Sequence, residues 1–164
     1  MTPKAKIAVV VAAVVLVYLL GDFLIVTEME RLQHTIAELR EAVAAADAER
    51  CISFISPDYL HNGESREQLL EIGRRIFQRT GPMEVQEISK KKPKISGREA
   101  VYESRMVVTF TKPGDEMLYS AGKLLSEWRL TFKKEGDRWL IYQVEPISIN
   151  NQPIGGRGLR ALPQ

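Results

Sequence analysis

Residues 124–144 read LLSEWRLTFKKEGDRWLIYQV, and the period of this stretch decides the fold. Leu124, Ser126, Trp128, Leu130 and Phe132 form one row, opposed by Glu127, Arg129, Thr131 and Lys133. A period of two is that of a strand with one face on a core and the other toward polar surroundings. Glu135-Gly136-Asp137 is a tight hairpin, after which Arg138 to Val144 forms a second strand that continues to Ile149. Upstream the same alternation recurs. Ala100, Tyr102, Ser104, Met106, Val108 and Phe110 point one way, and Val101, Glu103, Arg105, Val107 and Thr109 the other. Lys112-Pro113-Gly114-Asp115 makes a turn after this run. Met83 to Lys90 is a further short strand, leading into a basic loop of Lys90, Lys91, Lys92 and Lys94. Joined in sequence, these strands predict an antiparallel meander.

Ahead of the sheet the period becomes helical. Ser65 with Gln68 three residues later has the form of a capping box, and Leu69, Leu70, Ile72, Ile76 and Phe77 make one apolar helix face that ends near Thr80-Gly81-Pro82. Earlier, Met29, Leu32, Ile36, Leu39, Val43 and Ala46 recur at spacings of three and four, predicting a helix that reaches Ile55 before Ser56-Pro57 breaks it. The stripe has two readings. It suits a short parallel coiled coil, with Leu32, Ile36 and Leu39 as interaction residues, or its later part packs on the chain's own domain. His34, on the polar side of this helix, reads as solvated. Helices followed by meandering strands describe an α+β domain with one sheet face on the helices.

The N-terminal segment is of a different kind. Residues 7–26 read IAVVVAAVVLVYLLGDFLIV, with Asp22 as the single charge, and about twenty apolar residues are what a helix needs to cross a bilayer. The run continues through Phe23, Leu24, Ile25 and Val26 with no small-residue cleavage site, so it reads as a retained transmembrane helix rather than a removed signal. Lys4 and Lys6 precede it and Glu28 and Glu30 follow, which places the N-terminus in the cytoplasm and the rest on the far side. In a bacterium that would be an inner-membrane protein with a periplasmic domain. The expected organisation is a cytoplasmic N-terminus over 1–6, the transmembrane helix over 7–26, a helical stalk over 27–38, a domain over 39–149 and an irregular tail over 150–164.

Composition excludes several classes. The chain has 164 residues, 45% hydrophobic and 27% charged, too apolar for a disordered chain and too charged for a polytopic membrane protein. A net charge of +2 gives nucleic-acid binding no support. A single cysteine, Cys51, excludes an internal disulfide and a cysteine-rich zinc site. Phosphate-binding loop, dinucleotide fingerprint, nucleophile elbow and paired-histidine metal motifs are all missing from the sequence, so no cofactor or metal is expected.

The order of parts resembles the nuclear transport factor 2-like superfamily, also called ketosteroid-isomerase-like or SnoaL-like. The residues that carry the resemblance are Ala44 to Glu49, Ile55-Ser56-Pro57-Asp58-Tyr59, the helix from Ser65 to Phe77, and Phe132, Gly136, Trp139, Ile141 and Val144 of the last hairpin. It covers residues 39–149. The resemblance implies a curved sheet wrapping helices into a cone with a pocket, in a group that includes isomerases, dehydratases, cyclases and members that only bind or scaffold. Its enzymes place an Asp, Glu or His beside a Tyr in the cone. By alternation, the inward polar side chains would be Tyr102, Ser104, Ser126, Trp128 and Tyr142, with Met106 beside them, and none of these is a base near neutral pH. Glu103, Arg105, Glu127 and Arg129 fall on the outer face, where they would pair with one another or meet a partner. Asp58, Tyr59 and His61 remain as an acid and base group at the pocket mouth. The sequence therefore favours a membrane-anchored, non-catalytic binding or assembly module, as a homodimer or part of a larger membrane complex. The alternatives are a lyase or isomerase acting on a small hydrophobic substrate, and a domain that binds a small apolar, lipid-like ligand.

Overall fold

A computed structural model describes residues 27–110 and 123–154. The expected transmembrane helix over 7–26 lies outside them; among the described residues no helix is long and apolar enough to cross a membrane. Helix α1 (Glu28–Ala44) opens on a reciprocal cap. Thr27 Oγ accepts from the Glu30 N–H, and the Glu30 carboxylate accepts from the Thr27 N–H at 2.7 Å. The helix does not continue to Ile55 as its apolar spacing predicts. Ala46 turns to a left-handed φ of 55°, and Asp47 accepts from the Arg50 N–H to cap a separate short helix, α2 (Ala48–Ile52). An aspartate that can satisfy a free N–H competes with helix continuation, and here it restarts the helix at a new angle.

Ile55, Ser56 and the chain beyond then run along the edge of the last long strand. Ser56 N–H donates to the Ile141 carbonyl at 2.9 Å and Ile141 N–H to the Phe54 carbonyl at 2.8 Å. A two-strand hairpin, β1 (Leu60–His61) and β2 (Glu64–Ser65), leads into α3 (Arg66–Thr80), whose capping box at Ser65 and Gln68 is formed as expected. The main sheet follows with β3 (Met83–Lys90), β4 (Lys94–Ser96), β5 (Glu99–Phe110), β6 (Lys123–Glu135), β7 (Arg138–Ile149) and β8 (Gln152–Pro153). It is antiparallel in the order β3-β5-β6-β7-β8, with β4 beside β5. β8 falls inside the region expected to be irregular; residues 155–164 lie outside the description.

The register of β5 on β6 matches the alternation. Ala100 faces Phe132, Tyr102 faces Leu130, Ser104 faces Trp128 and Met106 faces Ser126, so apolar rows meet on one face and Glu103 meets Arg129 on the other. Three interruptions bend the sheet. Ile88, Tyr142 and Ile147 are each an extra residue without an opposite number, at register shifts in β3 and β7. The core between this curved sheet and the helices holds Phe132, Trp139, Ile141, Ala100 and Tyr102 from the sheet with Phe54, Ile55 and Tyr59 from the chain beside it.

The same core takes in the stripe of α1. Leu32 is 0% exposed and belongs to it, and Ile36 and Leu39 pack against it. Of the two readings left open for the stripe, packing on the chain's own domain holds from Leu32 onward, since a 3-4 spacing specifies a buried helix face but not what buries it. Glu28 fixes the same helix from its first turn, accepting from Lys134 Nζ at 2.7 Å and from the Trp139 indole N–H at 3.1 Å.

Candidate functional site

The inner face of the sheet carries a carboxylate that the alternation of β5 and β6 alone did not reveal. On β3, Met83, Val85 and Glu87 share one face, and Glu87 points inward with a side chain 12% exposed. The Tyr102 hydroxyl donates to one of its oxygens and Arg40 Nη1 of α1 approaches the other at 3.4 Å. Burial first, and then the bond and charge of Glu87, raise the Tyr102 phenol above its ordinary range, so it remains a neutral donor. Ser104 and Ser126 are buried on the same face, with Met106 and Trp128 half-buried in the same rows. Tyr102, Ser104, Met106, Ser126 and Trp128 thus share one face of β5 and β6.

Tyr142 does not. As the unpaired residue of the β7 bulge it departs from the alternation that would carry it inward, and its ring lies 3.6 Å below Lys133 Nζ. It lines a groove of about 530 Å³ together with Ser56, Asp58, Arg98, Lys133 and Glu135. Asp58 belongs to that groove, exposed, with its backbone N–H on Ser56 Oγ at 3.2 Å, while Ser56 Oγ donates to Glu135 at 2.6 Å.

The expected pairing of Asp58 with His61 is therefore replaced by another. His61 Nε2 is buried 3.9 Å from Glu145 Oε1 of β7. Tyr59 is 3% exposed, with its hydroxyl against the Val144 backbone, and His61 Nε2 has no group of the described residues at hydrogen-bond distance. Burial, with a smaller push from the charge of Glu64, raises the Tyr59 phenol to about 12. Glu64 itself is 2% exposed in β2, directly opposite His61. Tyr59 and His61 both lie against β7, Tyr59 at the Val144 backbone and His61 near Glu145. Glu64 and Glu145 were missed because their meeting depends on the loop crossing β7, which no local pattern records.

From Glu145 a ladder of charge runs across the outer face of the sheet. Arg129 Nη1 lies 3.3 Å from Glu145, Arg129 bonds Glu103 at 2.8 Å, and Lys91 Nζ reaches Glu103 at 2.5 Å. Hydrogen bonds from Lys91 and Arg129 hold the Glu103 carboxyl below the usual range. The other two outer residues, Arg105 and Glu127, stand opposite one another on β5 and β6; Arg105 donates to Asn151 Oδ1 at 2.6 Å, and Ser148 Oγ donates to Glu127 at 3.5 Å. Among the described residues no cluster of His, Cys, Asp or Glu has the arrangement of a metal site.

The same curved sheet and helices occur in solved proteins. A candidate dehydratase of the nuclear transport factor 2-like family from Streptomyces avermitilis superposes with a TM-score of 0.60 at 16% identity, covering 78% of this chain and 96% of that one. The domain has the nuclear transport factor 2-like fold. A candidate calcium/calmodulin dependent protein kinase II association domain from Xanthomonas campestris matches it with a TM-score of 0.56 at 14% identity, over 74% of this chain and 87% of that chain. Bd1075 of Bdellovibrio bacteriovorus matches with a TM-score of 0.57 at 13% identity over 74% of this chain, which spans 40% of that protein's length. No protein-family model and no curated protein matches the sequence. At these identities the nuclear transport factor 2-like likeness defines the fold, and the chemistry rests on this chain's own residues.

Proposed function

We propose that the chain is a single-pass membrane protein whose nuclear transport factor 2-like domain works on the far side of the membrane as a non-catalytic binding or assembly module. The observation that carries this reading is the state of Glu87. Both of its oxygens are engaged, one by Tyr102 and one by Arg40, so the inward carboxylate acts as a tie between β3, β5 and α1 rather than as a free base. The apolar run over 7–26 supplies the anchor. The fold is shared with a protein described as an association domain, which favours assembly as the use. With the α1 stripe buried, the contact surfaces are the outer sheet face around Arg105 and Glu127 and the C-terminal tail. Photo-crosslinking from positions 105 and 127 in membranes is expected to give a discrete higher-mass adduct. A chain that stays monomeric and without a stable neighbour overturns the assembly reading.

One observation favours a second reading, a lyase or isomerase for a small hydrophobic substrate. His61 Nε2 is a buried polar atom with no group of the described residues at hydrogen-bond distance, Glu145 lying 3.9 Å away, which is costly unless something meets it. A ligand carbonyl or hydroxyl would do so. Titration with small cyclic ketones, followed through the His61 ring signals, would move those signals if the site takes such a ligand; unchanged signals remove this reading.

A further inference from the structure

The apolar run that ends at Val26 meets the domain without a spacer. Thr27 is already the cap of α1, and the next residue, Glu28, is held by Lys134 and Trp139. Two residues of extended chain reach at most about 7 Å, so the surface that holds Val26 lies within that distance of the first turn of α1. That turn adjoins the β6–β7 turn, where Arg31 Nη1 lies 3.7 Å from Asp137, and the β4–β5 turn, where Arg98 donates to the Lys134 carbonyl at 2.9 Å. A free helical stalk over 27–38 would instead hold the domain about 18 Å away.

We propose that this end of the domain, formed by the first turn of α1 and the turns at Arg98 and Asp137, is seated on the lipid headgroups. The inference rests on the membrane anchor of the proposed function and adds which face meets the membrane and how closely. The partner is a zwitterionic phospholipid surface. Lys134 and Arg31 at this end have Glu28 beside them, Lys133 has Glu99 at 4.0 Å, and Arg98 is bonded to the Lys134 carbonyl, so tether length sets the seating rather than attraction to anionic lipid. The groove lined by Arg98, Lys133 and Lys134 lies at the same end.

The test uses the full chain in phosphatidylcholine vesicles, with Cys51→Ala removing the native thiol and one fluorescent label on either Asp137→Cys or Glu84→Cys. Glu84 pairs with Thr109 at the other end of β5 from Glu99, roughly 30 Å along the strand. With a nitroxide quencher in the headgroup region, the label at 137 should be quenched several-fold more than the label at 84, equally at low and high salt. Seven helical residues inserted between Val26 and Thr27 add about 10 Å and should bring the two labels toward equality. Equal quenching of the two labels in the uninserted chain, or a difference between them that vanishes at high salt, overturns the seating while leaving the anchor intact. A chain that fails to float with the vesicles overturns the anchor itself, and the seating with it.

Discussion

Glu28 shows how much one side chain can fix. Its carboxylate accepts from Lys134 and from the Trp139 indole, residues that lie 106 and 111 positions further along the chain. The Lys134 hydrogen bond, supported by the charges of Lys134 and Arg31, lowers its carboxyl from the ordinary value against a smaller opposing effect of burial. A depressed folded-state value means that its stabilisation is fully present above the unfolded carboxyl value of about 4.3 and is lost as pH falls through the folded value. Glu28→Gln is therefore expected to lower the melting temperature at pH 7, with wild type and variant converging as the pH falls below about 4. A difference that persists unchanged into acid would show that the charge is not what matters. The inward carboxylate was legible in a way that this tie was not. Glu87 stands two residues after Val85 and four after Met83, so the alternation of β3 alone puts it inside. Nothing local in the sequence brings Glu28 to Trp139, or His61 to Glu145, because those meetings are made by the path of the chain.

At the scale of elements, α1 is where sequence and structure part. Its Leu32, Ile36 and Leu39 stripe was legible as a helix face, but whether a second chain or the chain's own sheet covers it depends on where the helix lies. Leu32 at 0% exposure makes the distinction measurable. Leu32→Ala is expected to destabilise the isolated domain by about 2–5 kcal/mol, read by denaturant unfolding, with no change in oligomeric state. An intact stability with a lost dimer would restore the seam. The strands were more legible than the helices. A core row on β5 and another on β6 fix each other's register, because a slip by one residue would put Glu103 and Arg129 inside. The bulge at Tyr142 was hidden, since an extra residue reverses the parity of everything after it and composition does not mark where that happens. The break between α1 and α2 was hidden for a related reason: Asp47 reads as a polar helix position until its side chain is seen to cap.

For the whole molecule, the packing of α1 on the sheet from its first turn sets the expectation for the smallest folding unit. A fragment of residues 27–164 is expected to give one cooperative thermal transition, whereas residues 39–164, without Leu32 and the Glu28 ties, should not. A cooperative transition in the shorter fragment would show that the first turns of α1 are dispensable. The ties of Glu28 to Lys134 and Trp139 also impose an order on biosynthesis. The first helix of the domain leaves the ribosome directly behind the apolar 7–26 run, yet the residues that anchor and cover it belong to the final hairpin. Until that hairpin emerges, the apolar face of α1 stands bare, and folding must close a loop of nearly the whole domain before Leu32 is covered. Folding of this domain is therefore completed late: the helix that is made first waits longest for its partners.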